Sequence, residues 1–216
     1  MLDKPTKVFM VVPTAGHMHE NCHAVVTQVL LNEQSITQHA VGRGRPIDYL
    51  RNQFVRTLLA APQYSHIFFV DSDTEMPIDA LDRLLALDVP IASGCYAVHM
   101  RDGFRWALGN LDADGRYRLL ARRPSFTEPF QVDAGGAGCL LVRREIFEQT
   151  TYPWFNWVNN PDGSQISEDM WFFGQCHKHG HRVTVDPLVV CKHYKEVDIT
   201  SLLLLVEQRA VMQPQG

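Results

Sequence analysis

Apolar and polar positions along the first half of this chain follow two alternating periods. Val8-Phe9-Met10-Val11-Val12 is an unbroken apolar run that stops at Pro13-Thr14, and Ile67-Phe68-Phe69-Val70 is a second one behind His66. Short runs of this kind, rich in β-branched and aromatic side chains, predict strands covered on both faces. Elsewhere the period lengthens. Val25, Val26, Val29 and Leu30 predict a helix over Glu20 to Glu33, and Leu50, Phe54, Val55 and Leu58 a second one with Pro46 in its first turn, ending near Leu59. Ile36 to Val41 and Val89 to Ser93 read as further strands, and Leu81, Leu84 and Leu85 mark a helix opened by Pro77. Strand and helix in strict alternation predict a parallel sheet with helices on both faces.

After Gly94 the pattern changes. Trp106 to Leu111 and Tyr117 to Ala121 flank Asp112-Ala113-Asp114-Gly115, a hairpin signal. Gln131 to Asp133 and Cys139 to Arg143 flank the loop Ala134-Gly135-Gly136-Ala137-Gly138, and Ser167-Glu168-Asp169 opens a helix that runs to about Lys178. Val183 to Val185 and Leu188 to Val190 close the core. No repeat, low-complexity block or long linker divides the chain. The expectation is one α/β domain with a mostly parallel central sheet and a mixed second half. Residues 1–94 would form a nucleotide-binding half, 95–195 an acceptor and catalytic half, and 196–216 a tail in which Ser201 to Val211 is a candidate helix.

Bulk numbers narrow the partners. A hydrophobic content of 45% over 216 residues suits a sizeable core, and a net charge of −4 argues against a broad nucleic-acid or anionic-membrane surface. Pro13 cuts the first apolar run too early for a signal peptide, and Leu202 to Val206 falls far short of the roughly 20 residues that span a bilayer. The five cysteines are odd in number, widely spread and without a CxxC pair. Together these predict a cytoplasmic protein with reduced thiols and no membrane span.

The candidate chemistry starts at Asp71-Ser72-Asp73. Residues two apart leave a strand on one side, so Asp71 and Asp73 project together from the end of the central strand. Ligands gather at the carboxyl ends of strands in open α/β sheets. Two readings follow: a divalent cation holding a diphosphate, or a plain turn in which Asp73 caps the helix near Pro77. Ser167-Glu168-Asp169 also divides, between a general base and an ordinary helix start with a Ser cap and acids in the first turn. The glycine loop lacks dinucleotide-binding spacing, because Leu141 stands where the last glycine should be. It is either a tight turn or a place where the backbone approaches a sugar closely. Trp154, Phe155 and Trp157 precede the acid pair, as core residues or as a stacking surface for an acceptor sugar.

Five features in order resemble the glycosyltransferases of the GT-A fold, nearest to the family-2-like group. They are Arg51-Asn52, Phe68-Phe69-Val70-Asp71-Ser72-Asp73, Gly135-Gly136-Ala137-Gly138-Cys139, Ser167-Glu168-Asp169 and Cys191-Lys192-His193, and the likeness extends over roughly residues 7 to 195. The resemblance implies a GT-A-like, Rossmann-like nucleotide-binding domain. It implies sugar transfer from a nucleoside-diphosphate sugar, UDP- or GDP-linked, to an acceptor hydroxyl, whose carrier is open between a glycan, a small molecule and a protein, with a nucleic acid only as a minority case. Manganese, or magnesium, would be held by Asp73 and His193, with Asp71 either a further ligand or, by preference, a contact to the ribose or sugar. A site mixing carboxylate and imidazole suits manganese better. Pro13, Thr14, Arg51, Asn52 and Ser72 would meet the nucleotide, and Asp133, Gly135 and Gly136 the donor sugar. Asp169 would be the base of an inverting reaction and Glu168 its support, with a retaining mechanism as the alternative.

Three rivals come from the residues themselves. His19-Glu20-Asn21-Cys22-His23 matches the zinc-hydrolase helix signature, although Val26 stands where an extended motif needs glycine. Cys176, His177, His179 and His181 form a second possible zinc cluster, or a solvated helix end. A domain of this kind could also bind a nucleotide or glycan without turnover.

Overall fold

The computed structural model describes residues 6–14, 16–32, 36–43, 45–100, 103–196, 200 and 203–204. The candidate helix Ser201 to Val211 lies outside the described residues apart from 203–204. The first half contains β1 (Val8–Thr14), α1 (Glu20–Asn32), β2 (Ile36–Arg43), α2 (Ile47–Ala60), β3 (His66–Val70), β4 (Thr74–Glu75), α3 (Ala80–Ala86) and β5 (Ile91–Cys95). Short strands follow: β6 (Ala97–Met100), β7 (Gly103–Trp106), β8 (Leu108–Leu111), β9 (Tyr117–Leu119), β10 (Phe130–Val132) and β11 (Ala134–Gly135). The remainder is β12 (Cys139–Arg143), α4 (Arg144–Gln149), β13 (Val158–Asn159), β14 (Gln165–Ile166), α5 (Glu168–Lys178), β15 (Val183–Val190) and β16 (Lys192–His193).

The main sheet has seven strands in the order β10-β15-β5-β12-β3-β1-β2. β1 pairs in parallel with β2 and β3, and β15 in parallel with β5. β12 runs antiparallel between β3 and β5, and β10 antiparallel on the edge. The expected mostly parallel sheet is therefore present, with one reversed strand at its centre. Period-two alternation sorts the strand residues onto two faces. Phe9, Val11, Phe69, Leu140 and Val142 pack with Leu50, Phe54 and Leu58 of α2, Ile146 and Phe147 of α4 and Phe172 of α5. Val8, Met10, Val12, Phe68, Val70 and Leu141 pack on the other face with Val26 and Val29 of α1 and Leu81 and Leu84 of α3. All five cysteines are buried and free.

Several local expectations shift. Pro46 is the N-cap of α2 rather than part of its first turn, and Leu50 N–H donates to its carbonyl at 3.1 Å. α3 begins at Ala80, not at Pro77. The single strand expected over Trp106 to Leu111 is broken, because β7 pairs with β6 while β8 pairs with β9 and β11. The hairpin around Asp112 to Gly115 forms as expected, with β8 and β9 antiparallel. Val183 to Val190 is one strand with a register shift rather than two.

Candidate active site

A cleft of about 480 Å³ opens at the carboxyl ends of β1 and β3. Its lining includes Pro13, Asp71, Ser72, Asp73, Glu168, Asp169 and His193. That volume lies within the range of small-ligand sites. Asp71 to Thr74 is pinned from three sides: Asp71 N–H donates to Gly138 O at 3.0 Å, His19 N–H to Ser72 O at 2.9 Å, and Tyr194 N–H to Asp73 O at 2.8 Å. β16 pairs antiparallel with β4, His193 opposite Thr74, which carries an imidazole from near the end of the described chain to the Asp-x-Asp turn.

At Asp73 the Nε2 of His193 lies 3.5 Å from Oδ2, and the Nζ of Lys195 contacts the same oxygen. Burial alone would raise the Asp73 carboxyl, but His193 and Lys195 outweigh it and pull it down to about 2. His193 Nδ1 lies 2.9 Å from the carbonyl of Ala97. A carbonyl only accepts, so Nδ1 carries the proton and Nε2 is turned toward the carboxylate. A bare Nε2 and a carboxylate oxygen would repel; a proton on Nε2 or a shared cation removes the conflict. The tautomer is the one that metal-binding histidines adopt when a carbonyl holds their other nitrogen. Asp73 does not cap α3, whose N-cap is Asp79.

Asp71 is held from behind. Arg51, 1% exposed, donates through Nη2 to Asp71 Oδ1 at 2.7 Å, through Nε to Glu168 Oε1 at 3.4 Å and through Nη1 to Ala137 O at 3.4 Å. Its guanidinium lies 5.6 Å from the Phe69 ring and 5.7 Å from that of Phe155. Burial opposes its charge, but Asp71, Glu168 and Asp169 together raise its pKa. Burial also pushes Glu168 up to about 7, against the pull of Arg51, and raises Asp169. Asp169 Oδ1 accepts from Met170 N–H at 2.8 Å and from the Ser167 hydroxyl. Ser167 is thus the N-cap of α5 by position only; its hydroxyl serves Asp169, not the backbone.

The other expected nucleotide and sugar contacts lie elsewhere. Arg51 faces inward and does not line the cleft. Asn52 is spent on the chain before the acid pair: its Oδ1 accepts from Trp154 N at 3.0 Å and Phe155 N at 3.2 Å, and its Nδ2 donates to Phe155 O at 2.7 Å. Thr14 is buried and donates to His17 O at 3.0 Å. Asp133 takes Arg182 Nε at 2.9 Å and Leu111 N at 2.9 Å, away from the cleft. Of the three aromatics, Trp154 and Phe155 are buried core, whereas Trp157 is exposed and lines the cleft.

The glycine loop makes room for a side chain instead of a sugar. A Cβ at Gly136 would lie 2.0 Å from the Tyr96 hydroxyl and 2.6 Å from its Cζ, and one at Gly138 would lie 3.0 Å from the same ring. Gly135 packs on Ser93. Tyr96 lines the cleft, accepts from Gly138 N–H at 3.1 Å, and meets the His193 ring edge-on at 5.1 Å. Gly136→Ala should therefore destabilise the fold by about 1–3 kcal/mol through overpacking. Urea denaturation checks this, and an unchanged midpoint would refute the packing role.

The zinc readings do not survive. His19 lies just before α1, and its ring is stacked on Tyr194 at 3.7 Å rather than joined to His23 in a metal cluster. Cys176 is buried, and His181 pairs with Gln149 at 2.6 Å. Among the described residues no group of three or more His, Cys, Asp or Glu side chains could hold a metal by itself, so an ion at Asp73 and His193 would need ligands from a substrate or water. Ser167 also lines the cleft, and Tyr96, Lys195, Val98 and Ile47 do so without having been singled out from sequence. Lys195 lies two residues after His193, just past the end of β16, and no motif in the sequence marks it. Among the described residues no helix is long and apolar enough to cross a membrane.

No family model and no curated protein sequence matches the chain. Solved structures do. A197 from STIV superposes with a TM-score of 0.58 at 15% identity, over 88% of this chain and 87% of that one. The glycosyltransferase GalNAc-T7, solved with UDP, GalNAc and Mn2+, superposes with a TM-score of 0.62 at 12% identity, over 91% of this chain. The match spans 45% of the GalNAc-T7 chain. At these identities the likeness establishes the fold: a single main α/β domain of the GT-A, Rossmann-like type, as the sequence predicts.

Proposed function

We propose that this protein is a metal-dependent glycosyltransferase that moves a sugar from a UDP- or GDP-linked donor to an acceptor hydroxyl with inversion. One observation carries the reading. Asp73 Oδ2 and His193 Nε2 meet at the cleft 3.5 Å apart, close enough to share one cation, while the acid pair Glu168-Asp169 lines the same cavity. The bound UDP and Mn2+ of GalNAc-T7, on the same fold, agree with it.

Asp73 Oδ2 and His193 Nε2 are the donors that would hold manganese, or magnesium, with the diphosphate and water completing the shell. The ion's chemistry is to neutralise charge on the departing diphosphate. Asp71, fixed by Arg51 on one oxygen, offers the other to ribose or sugar hydroxyls. Pro13 and Ser72 form the wall beside it. Asp169 accepts the proton of the attacking acceptor hydroxyl, and its raised pKa makes it a stronger base than an ordinary carboxylate. Glu168 keeps Arg51 and Asp169 in register. Trp157 offers an apolar face on which a glycan acceptor would stack.

Asp73→Asn tests the metal half of this reading. The variant should lose manganese-dependent UDP binding by at least about tenfold, because an amide removes the anionic ligand. Titration calorimetry with UDP, with and without manganese, checks it. Equal manganese-dependent affinity in variant and parent would refute the assignment.

A further inference from the structure

The segment from Lys192 to Lys195 serves two acids by alternation. Lys192 Nζ donates to Glu75 Oε1 at 2.7 Å, and the Tyr194 hydroxyl donates to Glu75 Oε2. His193 at the end of β16 and Lys195 just beyond it, alternating with the first pair, both reach Oδ2 of Asp73. Asn21 Nδ2 donates to the Tyr194 hydroxyl at 2.8 Å and His19 stacks on its ring, so the backbone that presents Lys195 is fixed. Its side chain lines the cleft and is 59% exposed.

We propose that Lys195 is a resident counter-ion on Asp73, which a divalent cation must displace, and that it thereby sets the cation affinity of the site. The proposal rests on the metal-dependent reading above. Oδ2 is the oxygen nearest the His193 nitrogen, so it is the one an ion shared with His193 would use. The ammonium occupies that oxygen. An ion entering alone exchanges one positive partner of Asp73 for another. An ion entering with a diphosphate meets extra negative charge, which leaves the displaced ammonium a new partner within the cleft it already lines. The protein would then take up a cation weakly alone and strongly with its nucleotide. This is a coupling between two ligands that vanishes when the lysine is removed.

The test is titration of the full chain with manganese alone and then with manganese in the presence of UDP. Lys195→Met should bind manganese alone about fivefold more tightly than the parent, the scale of one partly exposed ion pair. Lys195→Arg, which keeps the charge, should stay within about twofold of the parent. UDP should strengthen manganese binding less in Lys195→Met than in the parent. Equal or weaker manganese binding by Lys195→Met overturns the counter-ion role and leaves the metal reading standing. Manganese binding by neither protein, or binding that survives Asp73→Asn, overturns both.

Discussion

Replacing Arg51 by methionine should cost the fold about 3–5 kcal/mol, the range measured when one partner of a buried ion pair is removed. Arg51 is 1% exposed and bridges Asp71 and Glu168, which come from the end of a strand and the start of a helix. Without the guanidinium both carboxylates lose their countercharge while the Phe69 and Phe155 rings still exclude water from the space. The loss should also depend on pH, with a defined sign. Glu168 is pushed up to about 7 in the folded protein, above its unfolded value, so the folded state holds the extra proton and stability falls as pH rises between the two. Removing Arg51 strengthens that trend. The gap between variant and parent should thus be wider at pH 8 than at pH 5. Urea denaturation at both values checks it, and a gap below about 1 kcal/mol at pH 8 would mean that the pair contributes little.

Asp169→Asn should lower kcat by about 10²–10⁴ while UDP affinity stays within about twofold of the parent, because a base acts on the acceptor and not on the nucleotide. The parent's kcat/KM should climb on the acid side of its pH profile with a midpoint above the ordinary carboxylate range. Burial raises the Asp169 pKa, and a general base works only after losing its proton. That limb should disappear from the residual activity of the variant. Steady-state kinetics over pH with a nucleotide-sugar panel supplies both readouts. A kcat within tenfold of the parent would remove Asp169 as the base.

Those two residues were not equally readable from the sequence. Asp169 follows Ser167 and Glu168 at a helix start, and that spacing alone marks an acid held rigidly. Arg51 sits in an amphipathic helix, where arginine ordinarily faces water; its burial is decided by Asp71 and Glu168, 20 and 117 residues away. The glycine loop misled for the same reason. What approaches Gly136 is Tyr96, and no local pattern announces a ring that arrives from the junction between β5 and β6. The buried strands Val8–Thr14 and His66–Val70 were legible because they are covered on both faces and so carry no polar alternation. The Asp-x-Asp turn and His193 were legible as an ordered set with the other motifs, while their meeting at 3.5 Å depends on β16 pairing with β4, two residues on two.

The reversed strand at the centre of the sheet also governs how the chain assembles. β5 has β12 and β15 as its neighbours, and both are made later than β5 itself. During synthesis, Ile91–Cys95 therefore emerges with no edge to join, and the gap beside β3 stays open until Cys139–Arg143 arrives. A fragment ending at residue 94 would hold β5 without either of its neighbours. Such late, long-range pairing slows maturation and lengthens the time that bare strand edges are open to neighbouring chains.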